Sequence, residues 1–465
     1  MKFDLKRLWS YLPAISIFCL ALSVRVVYNL TVARHYTPQH DSLFNYMLGV
    51  HILSEHCFCV QPFIPTAAYR APLWPAIIAG IITFFGQHAE YPRYFLCLVG
   101  SGTCVLVYYF ARDLFGWRTG LVAGAAAAIY PELYIYDGWL YTESLYIFLF
   151  FGFCYAVYRL QRDQKRVNWI WCGVLLGLLS LTRSNGILVL VLFLFWAVVL
   201  IWRKLLPWRF FAKGAAVITL ITAIFVVPWT IRNYNVTHAL VPVATGDGAV
   251  LLGAYNTMTV YLPSYPGGVP GTWINPLVSS PAIAHKYPDF CVPACEVARD
   301  TYFRAQAIHW IENNLHLMPH LLKLHFINMW RPATYEADLP VDTFPYQRSS
   351  KIVLKMMETF PIAVFILAGL GLILTLRRWR ELLFLYLMIL LTVAQCIIFY
   401  GIPRFRAPIE PILILLGAGV IWWLTSRDHG TLRCLVENVR KKTPEKVEVK
   451  AEEVVPASTG VVGKQ

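Results

Sequence analysis

Charged side chains at the ends of apolar segments are the residues of this sequence best placed to do chemistry. Asp41 follows Gln39 and His40 at the start of LFNYMLGVHIL, which has the apolar spacing of an amphipathic helix. A carboxylate there, close to a membrane surface, could act as a base on an arriving substrate. The simpler alternative is that Asp41 caps the helix, as aspartate often does.

A second group of acids lies in the turn PELYIYDGWLYTE, between two apolar segments. It contains Glu132, Asp137 and Glu143, and Glu143 enters the apolar segment that follows. A carboxylate in hydrocarbon is costly, so it requires a partner or a function. We therefore take Asp41 and Glu143 as candidate catalytic residues. The accessory candidates are His40, Glu132 and Asp137.

Arginines recur at the same ends of the apolar segments. Arg70 in YRAPLWP could hold a phosphate in bidentate fashion or extend to lipid headgroups. The others are Arg25, Arg183, Arg232 in PWTIRNY, and Arg404 and Arg406 in GIPRFRAP. Several guanidiniums converging on one cavity would make a site for a phosphate or diphosphate. The candidates for phosphate binding are Arg70, Arg232, Arg404 and Arg406.

Long apolar segments must position these residues. Of the 465 residues 58% are hydrophobic and 14% charged, against roughly 25% charged in an ordinary soluble domain, which excludes a soluble globular protein. Apolar segments of about 18 residues or more can cross a membrane as helices. The sequence contains ten, near residues 11–33, 93–111, 119–136, 142–158, 167–182, 185–202, 213–231, 357–376, 382–400 and 407–425. A shorter segment, residues 72–86, predicts an interfacial helix.

The net charge of +14 indicates orientation rather than a nucleic-acid partner. If the N-terminus is cytoplasmic, the Lys and Arg clusters of the short loops and the C-terminal tail also fall on the cytoplasmic side, as the positive-inside rule expects. The charges of the outward segments nearly cancel. The sequence thus predicts an all-α polytopic protein of the cytoplasmic (inner) membrane, with both termini cytoplasmic and about ten transmembrane helices.

Two long segments would face outward, residues 34–92 and residues 232–356. The second is long enough to form a small domain of mixed secondary structure, in which residues 299–329 have helical spacing. We predict four parts: an N-terminal membrane catalytic module with the first outer loop (1–231), the outward domain (232–356), C-terminal membrane helices (357–426) and a polar, disordered cytoplasmic tail (427–465).

The order of these motifs resembles a known group of membrane enzymes. Asp41 after the first span is followed by YRAPLWP, ARDLFGWRTG, YPELYIYDGWLYTESL, LTRSNG, PWTIRNY and PRFRAPIEP. This order resembles the GT-C fold glycosyltransferases of the dolichyl-phosphate-mannose-protein mannosyltransferase and aminoarabinose transferase superfamily (glycosyltransferase family 39-like), which use polyprenyl-phosphate-linked sugars. The resemblance extends over residues 11–426 and is weakest over residues 233–351.

The resemblance implies roles for particular residues. Asp41 matches the acid of the first outer loop, which in the family binds or deprotonates the acceptor; relatives often carry a second acid directly after it, which this chain lacks. Arg70 matches a basic residue that contacts the donor phosphate. Glu143 matches an acidic position at the start of the fourth span, and Arg404 and Arg406 match a basic pair after the penultimate span.

The predicted function is sugar transfer, hexosyl or pentosyl, from a polyprenyl-phosphate donor to a lipid, glycan or protein acceptor on the extracytoplasmic face. One well-placed base, Asp41, predicts single displacement with inversion, and the arginines would neutralise the leaving phosphate. The alternatives are a secondary transporter or flippase of a lipid-linked or anionic solute, a lipid-linked ligase of another fold, or a non-catalytic assembly partner. A transporter commonly shows inverted repeats and midplane charges, whereas here the charges cluster at span ends.

Metal use is left open by the sequence. Asp41, His40 and Glu143 could supply oxygen and nitrogen ligands to a divalent cation. However, the chain has no D-x-D pair, and no other cofactor is indicated.

Four cysteines lie in the outward segments. Cys57 and Cys59 share one segment, and Cys291 and Cys295 share the other. In an oxidising compartment each pair could form a disulfide, and free thiols are the alternative.

Overall fold

The computed structural model describes residues 5–59, 68–262, 269–279, 293–332 and 348–425. Within these ranges the chain is helical and contains no β-strand, so the all-α prediction is confirmed. The mixed secondary structure expected for residues 232–356 is not found, because the described part of that segment is built from helices. The tail from residue 427 lies outside the described ranges.

Fifteen helices of eight residues or more form the described part of the chain. They are α1 (Leu5–Thr31), α2 (His40–Ser54), α3 (Leu73–Phe85), α4 (Glu90–Phe115), α5 (Trp117–Ile129), α6 (Glu143–Asp163), α7 (Val167–Thr182), α8 (Gly186–Trp202), α9 (Trp208–Thr237), α10 (Asp247–Ala254), α11 (Pro293–Asn313), α12 (Met318–Met329), α13 (Arg348–Thr375), α14 (Trp379–Ile398) and α15 (Glu410–Thr425). Each of the ten predicted apolar segments overlaps one of them.

Among the described residues, six stretches are long and apolar enough to cross a membrane. They are Ser10–Thr31, Glu90–Phe115, Glu143–Asp163, Trp208–Thr237, Lys351–Ile398 and Pro403–Thr425. The fifth stretch contains both α13 and α14, which a short turn joins at residues 376–378. α7 and α8 are apolar but shorter, and α3 takes the place of the predicted interfacial helix.

The predicted segment 119–136 is not one continuous helix. α5 ends at Ile129, Tyr130 is extended, and Pro131 begins a separate helix of four residues. The physical reason is proline, which lacks an N–H donor and disfavours helical backbone at the residue before it. The break sends residues 130–142 across the end of the helices, which brings the predicted acidic turn into the interior.

Small residues allow the membrane helices to approach closely. A Cβ atom on Gly120 of α5 would lie 2.9 Å from the Tyr108 carbonyl of α4, and one on Gly173 of α7 would lie 2.7 Å from Ile221 of α9. Such contacts drive helix packing in lipid, where hydrophobic association is weak. α4 packs against both α1 and α5, which also contact each other, and α7 packs against α6 and α9.

Residues 130–142, 183–185 and 399–409 meet at one end of the bundle, which we call the site end; Arg183 donates to Thr142 there, and Arg404 donates to Glu143 directly after it. α2 and α3 pack on each other beside it, with Gly49 of α2 against Ile78 of α3. α10 packs against α11 through Gly248 and the Asp300 carbonyl. The residues up to Trp422 form one compact unit, and the four predicted domain boundaries stay predictions.

Candidate active site

A cavity of about 320 Å³ opens at the site end. Its walls come from the start of α2, the segment 69–71, the turn before α6, the turn after α7, the segment 244–250, and the end of α14 with the residues that follow. Its charged residues include Asp41, Arg70, Arg183 and Arg404. Phe150 of α6, Val189 of α8 and Leu391 of α14 form its apolar side.

Asp41 lies in the first turn of α2 and lines this cavity. The alternative that it only caps the helix is wrong, because its carboxylate accepts hydrogen bonds from Arg70 at Oδ1 and from Arg404 at Oδ2, the latter at 3.2 Å. About a third of the side chain (34%) stays exposed. Burial alone would raise the pKa of the Asp41 carboxyl, but the two guanidiniums outweigh it and hold the pKa well below its usual range.

Arg404 connects Asp41 to the second predicted carboxylate. Its Nε donates to Glu143 Oε1, and Arg183 donates to the same oxygen. Glu143 is 1% exposed and lies behind the cavity wall rather than on it. The Arg404 guanidinium also stacks over the Tyr141 ring at 4.0 Å. Glu143 therefore fixes two arginines that line the cavity.

Arg70 reaches Asp41 from the other side. Its guanidinium lies 4.9 Å from the Tyr69 ring and 5.7 Å from the Phe44 ring, distances typical of cation–π contacts. Asp41 raises the Arg70 pKa against the opposing effect of burial, so the guanidinium is charged throughout the physiological range. These contacts hold Arg70 at the cavity in its charged form.

The charges of Asp41, Glu143, Arg70, Arg183 and Arg404 do not cancel. Within this connected cluster two carboxylates and three guanidiniums carry one net positive charge, and Asp247 is a further carboxylate that lines the cavity outside the cluster. Such a surplus is balanced most directly by an anion, and the planar donors of arginine suit phosphate oxygens. The cluster can therefore bind an anion while keeping a carboxylate beside it.

Two of the predicted phosphate-binding arginines do not line the cavity. Arg406 is fully buried and donates to Glu410 at 2.5 Å and to the carbonyl of Arg331 at 2.7 Å. Arg232 donates to Asn233 at 3.1 Å and stacks on the rings of Phe58 and Trp229. Packing around these side chains, rather than their sequence position, removes them from the site.

The three accessory candidates also lie elsewhere. Asp137 is fully buried in an ion pair with Arg25, with a distance of 2.5 Å between Nε and Oδ2. Glu132 is buried as well and accepts a hydrogen bond from the Tyr136 hydroxyl. His40 is exposed beside Asp41 but does not line the cavity.

Sequence reasoning did not select Arg183, although it noted this arginine at the end of a span. The signal was available in LTRSNG, a polar interruption between two apolar helices. Tyr141 and Asn185 also line the cavity and were not selected, although Tyr141 lies in the acidic turn and Asn185 lies in LTRSNG.

The residues considered as metal ligands are not arranged as one set. Asp41 and Glu143 both face arginines, and His40 does not line the cavity. Within the described ranges no group of three or more His, Cys, Asp or Glu residues is placed to hold a metal ion. The geometry favours an anion over a cation at this site.

The outward cysteines are partly accounted for. Cys57 and Cys59 form a disulfide. Cys295 is disulfide-bonded as well, whereas Cys291 lies outside the described residues.

Comparison with known proteins agrees with the fold. Residues 69–231 match the model of the dolichyl-phosphate-mannose-protein mannosyltransferase family. The archaeal oligosaccharyltransferase AglB from Archaeoglobus fulgidus, solved with an inhibitory peptide and a dolichol-phosphate, is similar over 97% of this chain and 53% of its own, with 13% identity and a TM-score of 0.52. The chain has the GT-C fold. The predicted resemblance is therefore confirmed at the level of the fold.

Further comparisons limit how far the GT-C likeness extends. The apo form of the Archaeoglobus fulgidus oligosaccharyltransferase gives 12% identity and a TM-score of 0.51, with 92% of this chain covered and 52% of that one. The chain thus spans about half the length of these structures. ArnT from Cupriavidus metallidurans, bound to undecaprenyl phosphate, covers 93% of this chain and 81% of its own at 14% identity, with a TM-score of 0.42, too low to add to the argument. No curated protein matches the sequence.

Proposed function

We propose that this protein is a membrane glycosyltransferase that moves a sugar from a polyprenyl-phosphate donor to an acceptor on the extracytoplasmic face. The observation that carries the proposal is the cluster at the cavity, in which Arg70, Arg183 and Arg404 outnumber the carboxylates Asp41 and Glu143. A phosphodiester donor carries one negative charge and would neutralise the surplus. The complex of AglB with a dolichol-phosphate supports this ligand class.

The apolar side of the cavity supports a lipid-linked donor. Phe150, Val189 and Leu391 belong to helices α6, α8 and α14, whose central parts are apolar. A polyprenyl chain could remain among these helices and the lipid while its phosphate reaches the arginines. A water-soluble nucleotide sugar would have no use for that surface.

Transfer follows as a single displacement with inversion. The acceptor oxygen or nitrogen attacks the anomeric carbon, the bond from that carbon to the phosphate oxygen breaks, and the acceptor proton passes to Asp41. The leaving polyprenyl phosphate gains a negative charge, which Arg70, Arg183 and Arg404 stabilise. The acceptor is a lipid, glycan or protein, and the transferred group is a hexose or pentose.

Donor binding would also activate the base. With Arg70 and Arg404 both bound to it, Asp41 is a weak base because its pKa is low. A phosphate that takes hydrogen bonds from these arginines would weaken their hold on Asp41 and raise its proton affinity. The base would then be strengthened only when a donor is in place. Glu143 keeps Arg183 and Arg404 in position during this exchange.

The test is sugar transfer in proteoliposomes that contain the purified full-length protein and a panel of polyprenyl-phosphate sugars. Asp41→Asn is expected to lose at least 1000-fold in rate while the fold is kept, since the base is removed without a change in size. Glu55→Gln removes an exposed acid at the other end of α2 and serves as the matched control. Full transfer by Asp41→Asn would refute the role of Asp41, and solute flux without transfer would favour a transporter.

A further inference from the structure

A second carboxylate lines the cavity on a wall that the proposed chemistry does not use. Asp247 begins α10 and faces the cavity together with Trp273. Its side chain is exposed, and within the described residues no hydrogen bond or ion pair to its carboxylate is found. Asp41 and Glu143, in contrast, are both bound by arginines. The cavity therefore has an arginine wall, formed by Arg70, Arg183 and Arg404, and a carboxylate that no described residue binds.

Asp247 is not the side chain that caps the start of α10. An acid in the first turn often stabilises the free N–H groups there. In this helix Asp300 of α11 already does so, because its Oδ1 accepts the N–H of Gly246 at 3.1 Å and of Gly248 at 2.8 Å. The side-chain capping of α10 is therefore provided by Asp300.

The segment that carries Asp247 is fixed to the segment that carries Arg70. The N–H of Thr245 donates to the Ala68 carbonyl at 2.7 Å. The carboxylate of Glu296, 3% exposed, accepts from the Thr245 hydroxyl and from the N–H of Ala68 at 3.3 Å. One buried side chain of α11 therefore joins both segments. Asp247 is held at a set place relative to the arginine wall.

Nearby protein groups disfavour the ionised form of Asp247. Desolvation by the surrounding protein and the nearby Asp300 carboxylate raise the Asp247 pKa, while Arg304 acts in the opposite direction. A ligand that donates hydrogen bonds to both oxygens would stabilise the ionised form. Hydroxyl groups on adjacent carbons of a sugar are such donors, and an indole offers an apolar surface for a sugar ring.

We propose that Asp247 and Trp273 form a subsite for a polyhydroxylated sugar ring, with Asp247 accepting hydrogen bonds from its hydroxyl groups. The ring belongs either to the donor sugar or to a glycan acceptor. The role of this subsite in the reaction rests on the proposed function. The type of ligand that it binds is inferred from the cavity residues alone. Asp247 is a specificity-determining residue and takes no proton from the reacting atoms.

Direct binding tests the subsite without any transfer assay. The purified full-length protein in detergent is titrated with methyl glycosides of hexoses, pentoses and amino sugars, and binding is followed by saturation-transfer NMR. Asp247→Asn and Asp247→Ser are each expected to weaken the best-bound glycoside about tenfold or more. Glu312→Gln neutralises an exposed acid of α11 outside the cavity and should bind as the wild type does. Wild-type binding of no glycoside in the panel, or unchanged affinity in both Asp247 variants, would overturn the subsite.

Transfer kinetics identify which sugar occupies the subsite. An increase of the donor KM in Asp247→Asn with the acceptor KM unchanged assigns the donor sugar, and the reverse pattern assigns the acceptor. Both KM values equal to wild type would reject the inference while leaving the proposed function intact. Absence of transfer by the wild type, together with glycoside binding that depends on Asp247, would reject the proposed function and leave the subsite standing.

Discussion

Two regions of this protein use the same residue types to different ends. At the cavity, Arg404 is shared between Asp41 and Glu143, and Asp41 stays partly exposed. Deeper in the bundle, Arg406, two residues further on, is bound by Glu410, and both side chains are fully buried. The cavity cluster has a surplus positive charge and an opening. The Arg406–Glu410 pair is closed, and its guanidinium is occupied by that acid and two carbonyls.

The difference shows what separates a binding arginine from a structural one. A fully buried guanidinium that is bonded to a carboxylate and two carbonyls cannot exchange them for a ligand without a large cost. One that is shared between two acids beside water can rearrange. The following experiments test this contrast between Arg404 and Arg406, beginning with the largest effect.

The first experiment removes Arg404. Arg404→Gln is expected to reduce the sugar transfer rate by about 100-fold or more, because one of three donors to the leaving phosphate is lost. Its thermal unfolding temperature should change little, since Glu143 keeps Arg183. Arg34→Gln, an exposed arginine outside the cavity, is the control. Unimpaired transfer by Arg404→Gln would remove the distinction between the two regions.

The second experiment removes Arg406. Arg406→Ala leaves Glu410 buried without its cation and is expected to destabilise the protein by about 3–5 kcal/mol. Thermal unfolding in detergent and the folded yield would report the loss. Arg406→Met combined with Glu410→Met replaces the pair by apolar side chains and should recover most of the stability. If Arg406→Ala folds normally and fails only in transfer, Arg406 belongs to the site after all.

The third experiment separates Glu143 from Asp41. Glu143→Gln keeps the shape but weakens the hold on Arg183 and Arg404, so a reduction of about tenfold in kcat/KM is expected, smaller than that of Asp41→Asn. Transfer rates measured over a range of donor concentrations give kcat/KM for each of the two variants. A loss as large as that of Asp41→Asn would give Glu143 a direct part in the chemistry.

The smallest effect concerns pH. Because its folded pKa is lowered, Asp41 remains ionised as pH falls from 7 to 5, so its protonation should cause no loss of kcat/KM in that interval. Any stability from its ion pairs is present above the unfolded pKa and is lost only as pH falls through the lower folded value. In Arg70→Ala the largest opposing charge is gone, and the acid limb should move to higher pH. A wild-type acid limb near pH 6 that vanishes in Asp41→Asn would contradict the depressed pKa.

Much of the fold could be predicted because long apolar segments have few other solutions in a membrane. Ten segments were expected, and each overlaps a helix, since backbone groups in lipid must be bonded within the segment. The exception is the end of α5 at Ile129. Pro131 causes this break, but residues 119–136 were predicted as one apolar segment. The mixed character of residues 232–356 was inferred from composition, which does not determine secondary structure.

The candidate site was predicted in part. Asp41, Arg70 and Arg404 were selected and meet at the cavity, whereas Arg232 and Arg406 were selected for the same reason and do not line it. A motif such as PRFRAP cannot show which of its two arginines faces the cavity, because the backbone there turns through a short helix at Pro403–Arg406. Which side chain points to the opening depends on that turn.

The sequence by itself determined that the chain is a helical membrane protein with its charged groups at the ends of apolar segments, because hydrocarbon tolerates few charges and requires every backbone group to be bonded. Only the tertiary structure decided which charges share a partner. Asp41, Glu143 and Arg404 are each separated by more than a hundred residues, and their contact depends on how the helices are rotated and packed. The same packing closes Arg406 off and leaves Asp247 open, because burial and access are properties of the assembled bundle.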